Sequence, residues 1–401
     1  MRNNSVLIIT LLFSLNSIAQ NYSKNWKDVN YAGDNMEYHR LDIYLPKAEK
    51  STYPVVVAIY GSAWFGNNMK TSAYTTLGKA LLDAGFAVVT PNHRASTDAK
   101  YPAQIHDIKA VIRFIRANAN LYQFDTSFIG ITGFSSGGHL AALAGTSRGV
   151  KEYTIDSVTM NIEGNIGPYT AYSSSVDAVV DWFGPTDLLK MDSCKTSSTI
   201  DHHSASAPEA VLIGGPVQDN KAKATLANPI TYVDANDPPF LIIHGHQDPL
   251  VSYCQSEILF RALQNVKVPS QFIIVPGGQH GPGVLEDKYF KMMTDFFLQQ
   301  IGSTQVNNFN KNNKVNFNAF SNYANASNPA ITIIFSIPKK SLVSLAVFDS
   351  SGREVSKLLS ETLNPGNYSY QWNTEKLLAG TYFFRLVADS FAETKKIVLS
   401  R

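Results

Sequence analysis

The chain has 401 residues, of which 44% are hydrophobic and 16% charged, and its net charge is +2. That balance predicts two or three domains with room for a large core, and it gives no electrostatic ground for binding nucleic acid or an anionic membrane surface. The two cysteines, Cys194 and Cys254, fit neither a metal cluster nor a disulfide-dense scaffold.

In chain order, residues 1–19 read first, as a signal peptide. Arg2 supplies a positive start, and Val6 to Leu15 is mostly apolar but too short to span a bilayer. Ser17-Ile18-Ala19 sets small residues where cleavage before Gln20 requires them. No later segment is apolar enough to cross a membrane. Export means oxidising surroundings, in which Cys194 and Cys254 either form a disulfide or remain two free thiols. The sequence leaves both open.

From about residue 37 to 301, strand and helix signals alternate. Val55 to Tyr60 is a continuous apolar run, as expected of a strand covered on both faces. Further strands are predicted at Phe86 to Thr90, Phe128 to Thr132, Ala178 to Val180, Phe240 to His244 and Phe272 to Val275. Between them Leu77, Ala80 and Leu81, then Ile105, Ile108, Val111, Ile112 and Ile115, fall at helical spacing, and Tyr289, Met292, Met293, Phe296 and Phe297 do so at the end. Repeated strand–helix units predict an α/β domain over 20–302, with a mainly parallel sheet and helices on both faces. Ligands in such sheets bind beyond the carboxyl ends of the strands. Residues 303–328 crowd asparagines, from Asn307 to Asn328, and read as a linker. Alternation then takes over at Ile331, Ile333 and Phe335, Leu342 to Phe348, Tyr382 to Leu386 and Ile397 to Leu399, with turns at Ser350-Ser351-Gly352, Asn364-Pro365-Gly366 and Ala379-Gly380. Residues 329–401 are therefore predicted to form a small C-terminal antiparallel β-sandwich. With no histidine or cysteine, that part is assigned no chemistry.

The candidate chemistry starts at Gly133-Phe134-Ser135-Ser136-Gly137, a G-x-S-x-G turn between a predicted strand and a helix-forming stretch, His139 to Ala144. A serine hydroxyl is a weak nucleophile until a sharp turn holds it out of the sheet beside a base, and that turn admits only small residues two before and two after the serine. His280, between glycines in Pro276-Gly277-Gly278-Gln279-His280-Gly281, is the candidate base. Asp248, just past the strand ending at His244, is the candidate acid to orient it. Asp187 in Gly184-Pro185-Thr186-Asp187 is the rival acid, disfavoured by its place in the chain. The oxyanion donors are expected to be the backbone N–H of Ser136 and those of Ser62 and Ala63 in the turn Tyr60-Gly61-Ser62-Ala63-Trp64. Tyr60 and Trp64 are taken as substrate contacts. His202 and His203 beside Asp201 read as a solvated loop rather than a metal site. His139 is expected to pack behind the nucleophile helix, and His106 to lie on the polar flank of its helix. No phosphate loop or dinucleotide fingerprint occurs, and the chemistry calls for no metal or cofactor.

Six stretches together resemble the α/β-hydrolase family, and within it the bacterial bifunctional feruloyl and acetylxylan esterases. They are Tyr101-Pro102-Ala103-Gln104-Ile105-His106-Asp107, the serine turn followed by Gly138-His139-Leu140-Ala141, Asp181-Trp182-Phe183-Gly184-Pro185-Thr186-Asp187, Leu212-Ile213-Gly214-Gly215-Pro216, Asp237 to Gly245, and the loop carrying His280. The resemblance covers about residues 27 to 301 and implies a Ser135, Asp248, His280 triad. One departure is plain: the family usually has His-Gly-Gly at the oxyanion turn, where this chain has Tyr60-Gly61-Ser62. Residues 326–401 resemble the sorting domain of type IX secretion cargo, through Val347-Phe348-Asp349 with Gly352-Arg353-Glu354-Val355, Gly380 to Leu386 and Glu393 to Leu399. Together these imply a secreted or cell-surface serine carboxylesterase acting on acetyl or feruloyl groups of plant polysaccharides or on other short-chain esters, with the secretion machinery as partner. Two other readings stand beside it: a serine peptidase of the same fold, and a non-catalytic surface or glycan-binding protein. Residues 190 to 230 are expected to form part of the pocket wall.

Overall fold

An eight-stranded sheet organises the first three quarters of the chain. The computed structural model describes residues 21–192, 200–309, 316–320, 330–337, 339–364, 366–374, 377–389 and 391–399. The expected signal peptide and Cys194 lie outside these residues. The sheet contains β1 (Tyr22–Asn30), β2 (Arg40–Pro46), β3 (Tyr53–Ile59), β4 (Ala87–Pro91) and β5 (Phe124–Phe134). After a small separate hairpin of β6 (Glu152–Ile155) and β7 (Val158–Asn161) it continues with β8 (Ala178–Trp182), β9 (Phe240–Gly245) and β10 (Ser270–Val275). The spatial order is β1-β2-β4-β3-β5-β8-β9-β10. Every neighbour from β4 to β10 pairs in parallel, while β2 pairs antiparallel with both β1 and β4.

Burial on both faces explains the apolar runs. Val55, Val57 and Ile59 of β3 join one core, and Val56, Ala58 and Tyr60 join the other. The second core is covered by α1 (Lys70–Ala73) and α2 (Lys79–Asp83), joined through the π-helical turn Tyr74–Gly78. The first takes up apolar faces of α3 (Ala103–Ala117), α4 (Ser136–Thr146), α5 (Pro208–Ile213), α6 (Lys221–Ala227) and α7 (Cys254–Asn265). Finally α8 (Asp287–Phe309) returns to the second core, where Phe297 touches Phe86 and Phe128.

Beyond α8, β11 (Asn316–Phe320), β12 (Ala330–Ile337) and β15 (Gly366–Asn373) form one antiparallel sheet. β14 (Glu354–Leu363), β13 (Ser341–Asp349), β16 (Gly380–Ala388) and β17 (Phe391–Leu399) form another, in the order β14-β13-β16-β17. Ile333, Phe335 and Trp372 of the first share one core with Leu345, Phe384 and Leu386 of the second, as the predicted sandwich requires. Within 303–328, the stretch expected to be a linker, α8 runs on to Phe309, and β11 pairs with β12 so that Phe317 lies opposite Phe335. Asparagine is a poor strand former, but Phe317 between Asn316 and Asn318 keeps the two-residue alternation that a sheet edge accepts.

Candidate active site

The carboxyl ends of β5, β9 and β10 meet where three distant parts of the chain converge. Ser135 follows β5 with φ +57° and ψ −126°, and α4 begins at the next residue. This strained backbone is what a nucleophile elbow needs. The flanking glycines are there because nothing larger fits. A Cβ on Gly133 would lie 2.3 Å from the Gly137 carbonyl oxygen, and one on Gly137 would lie 2.5 Å from the carbonyl oxygens of Ile59 and Tyr60. The Ser135 N–H donates to the Trp182 carbonyl at the end of β8, pinning the turn from the far side.

His280 Nε2 lies 2.9 Å from Ser135 Oγ, and its Nδ1 lies 2.7 Å from Asp248 Oδ2. Asp248 sits in the loop after β9, buried, and its Oδ1 accepts from the N–H groups of Leu250 (2.8 Å) and Val251 (2.9 Å). Burial alone would push the Asp248 carboxyl up, but its polar contacts with His244 and His280 outweigh it and hold the group well below the usual carboxylate range. An ionised Asp248 can only accept, so His280 Nδ1 carries the proton and Nε2 is left to accept from the Ser135 hydroxyl. The ring of Phe183, 4.7 Å from that of His280, walls the imidazole on one side. The rival acid is engaged elsewhere. Asp187 Oδ1 accepts from Leu189 N–H and from Asn228 Nδ2, and Oδ2 faces Lys190 Nζ at 3.0 Å.

The oxyanion turn departs in detail from expectation. Ser62 N–H donates to Ser136 Oγ at 2.9 Å, so this group locks the turn to α4 rather than facing an open site. Ala63 and Trp64 adopt φ +50° and +60°. Among the described residues no acceptor takes the Ala63 N–H, and the Ser136 N–H, in the first turn of α4, has no partner within the helix. Neither N–H is therefore taken up among the described residues. Tyr60 and Trp64, expected as substrate contacts, are both buried, at 0% and 1% exposure. The Tyr60 hydroxyl donates to the Gly66 carbonyl and its ring stacks on His93, while Trp64 Nε1 donates to His139 Nδ1 at 3.3 Å. His139 Nε2 in turn donates to the Ala227 carbonyl, and burial lowers its pKa to about 4, so it is a neutral packing residue behind α4. Trp64 thus fastens the oxyanion turn to the helix after the serine.

Other expected residues fall outside this convergence. His106 is half-buried and faces the Asn161 carbonyl. Buried His202 meets Glu209 at 3.1 Å, and exposed His203 groups with Asp192 and Asp201 in a loop to which we assign no chemistry. Cys254, at the start of α7, is disulfide-bonded. Sequence reasoning missed Phe183, the N–H pair of Leu250 and Val251, and His244. The one signal for His244 was its place at the end of a parallel strand, directly before a glycine.

Comparison with known proteins points to ester hydrolases. Residues 41–263 match the BD-FAE family model, and residues 321–400 match the model for a secretion system C-terminal sorting domain. A truncated carbohydrate esterase from gut microbiota is 52% identical, over 70% of this chain and 97% of that one, with a TM-score of 0.67. A bifunctional GH43-CE protein of Bacteroides eggerthii is 56% identical, over 69% of this chain and 35% of that one, with a TM-score of 0.66. Esterase LipQ of Mycobacterium tuberculosis is 28% identical, over 65% of this chain and 58% of its own length. The chain spans 54% to 62% of the length of this and two other mycobacterial ester hydrolases. The sorting domain marks a secreted or cell-surface protein, and no helix among the described residues is long and apolar enough to cross a membrane.

Proposed function

From the premise that this chain belongs to the BD-FAE esterase family, we propose that it is a secreted serine carboxylic-ester hydrolase that removes acetyl or feruloyl groups from plant polysaccharides. The observation that carries the reading is the unbroken line of hydrogen bonds from Ser135 through His280 to Asp248. In this reading His280 Nε2 takes the Ser135 proton as Oγ bonds to the ester carbonyl carbon. Negative charge develops on the carbonyl oxygen and is met by the N–H groups of Ser136 and Ala63. The tetrahedral species collapses, the bond to the alcohol oxygen breaks, and His280 returns the proton to that leaving oxygen. Water then attacks the acyl-enzyme with His280 again as base, releasing the acid and restoring Ser135. Asp248 holds His280 in the one tautomer that can do this and stabilises its cation.

A carbohydrate ester as substrate is supported by the 52% identical carbohydrate esterase and by the GH43-CE protein of Bacteroides eggerthii; acetyl and feruloyl are the acyl groups we propose. The test is a panel of acetylated xylan, methyl ferulate, p-nitrophenyl acetate and an aminoacyl amide. The reading predicts turnover of the first three, with the carbohydrate ester preferred over the synthetic acetate. Amide turnover exceeding ester turnover would favour a peptidase and contradict it.

A further inference from the structure

Asp248 Oδ2, which accepts from His280 Nδ1, also lies 3.3 Å from Nε2 of a second histidine, His244. His244 is fully buried near the carboxyl end of β9. Its Nε2 lies 2.8 Å from the Val251 carbonyl oxygen, and a carbonyl only accepts, so Nε2 carries a proton. Its Nδ1 lies 2.7 Å from Ser256 Oγ on α7. Among the described residues the Ser256 hydroxyl makes no other hydrogen bond, so it donates to Nδ1 and fixes the neutral ring with its proton on Nε2. A chain of donation therefore runs from Ser256 to His244 and on to the Val251 carbonyl, with Asp248 Oδ2 beside the same Nε2–H at 3.3 Å.

We propose that His244, oriented by Ser256, is a positioning residue of the triad, holding the Asp248 carboxylate in the plane His280 needs and tempering its charge. This rests on the reading of Ser135, His280 and Asp248 given above. Backbone N–H groups of the loop fix only Oδ1 of Asp248. Among the described residues, Oδ2 is held by the two histidines alone. When His280 becomes a cation its pull on Oδ2 rises, and without His244 the carboxylate is free to swing about Oδ1 after the moving ring. The His244 Nε2–H beside Oδ2 also draws on that oxygen's negative charge, which leaves less of it for the His280 ring. Among the described residues, the ionisable groups facing Asp248 are His280 and His244, and His280 meets Asp248 and Ser135. Phe183, the apolar neighbour of both rings, lies 4.7 Å from His280 and 6.2 Å from His244.

The test compares His244→Leu, His244→Gln, Ser256→Ala and Ser135→Ala in the full chain, reading kcat, KM and the pH dependence of kcat/KM with p-nitrophenyl acetate. His244→Leu is expected to lower kcat about tenfold with KM unchanged, since His244 touches no substrate. It is also expected to move the acid limb of kcat/KM up by about half a pH unit, because the freed carboxylate stabilises the His280 cation more strongly. His244→Gln retains an amide donor and is expected to recover most of both effects, and Ser256→Ala to show a smaller version of them. A folded His244→Leu with wild-type kcat and limb overturns the proposal. So does lost activity with an unmoved limb, which is what a histidine that only fills the core would give. Should His244→Leu not fold, wild-type behaviour of Ser256→Ala overturns it instead. Wild-type turnover in Ser135→Ala overturns the triad reading itself, an outcome distinct from any result at His244.

Discussion

At the scale of single residues, the site works by controlling where protons sit. Asp248 is ionised because donors surround it, and that ionisation dictates the tautomer of His280. Replacing it by asparagine keeps the shape but offers an NH2 group that can stabilise the wrong tautomer. Asp248→Asn is predicted to cut kcat by about 10⁴, as in other serine hydrolases, with Ser135 and its neighbours unmoved. Steady-state kinetics on the folded variant check this, and a loss under tenfold would contradict the assigned role. A different carboxyl shows the opposite effect. Asp181, one residue before Trp182, is fully buried, and burial raises its pKa to about 7 although the Gly184 N–H donates to its Oδ1. The folded state holds that proton more tightly than the unfolded chain, so the stabilisation is complete below the ordinary aspartate value of 3.8 and is lost as pH rises towards 7. Asp181→Asn keeps the acceptor for Gly184 and removes the titration. We predict that it gains on the order of 1 to 4 kcal/mol over the wild type between pH 5 and pH 8. Thermal melts of both proteins at the two pH values measure it, and an equal difference at each would contradict the assignment.

At the scale of elements, the elbow depends on close backbone approach between β5, α4 and the turn after β3. Gly137→Ala would place a methyl group 2.5 Å from the carbonyl oxygens of Ile59 and Tyr60. It is predicted to cost about 1 to 3 kcal/mol or more and to abolish turnover, since β3 carries the oxyanion turn and must shift to admit the methyl. Denaturant titration with parallel assays tests this, and a folded, fully active variant would count against it. Much at this scale was legible beforehand. The runs around Val55, Ile129, Val179 and Ile242 became the central strands, because burial on both faces demands continuous apolar sequence. Ser135, Asp248 and His280 could be picked out because each follows a strand, and parallel strands deliver their ends to one rim. β1 was not foreseen, since Tyr22–Asn30 is largely polar and its pairing with β2 is interrupted by bulges. Nor were the roles of Tyr60, Ser62 and Trp64. Whether a turn shows its side chains or its N–H groups to the site depends on tertiary partners such as His139 and Ser136, which no local pattern encodes.

At the scale of the whole molecule, the eight-stranded sheet and the C-terminal sandwich divide the labour. The chemistry-bearing side chains lie on the eight-stranded sheet, and the sandwich formed by β12 to β17 has its own core around Phe335, Trp372 and Phe384. That division fits a sorting domain that addresses the protein without touching its substrate. Deleting residues 321–401 is predicted to leave ester hydrolysis per mole of enzyme within about twofold in cell extracts while removing the activity from the medium and cell surface. Fractionated assays of the expressing cells would show it, and undiminished export of the shortened chain would contradict that role.

The claim on which the account turns is that Ser135 is made nucleophilic by His280. Treating the purified protein with a fluorophosphonate and mapping the adduct by peptide mass spectrometry tests it most directly. The account predicts one phosphonylated residue, Ser135, in the wild type and labelling slowed by at least about a thousandfold in His280→Ala. An adduct on any other serine, or labelling of Ser135 at an unchanged rate without His280, would contradict it.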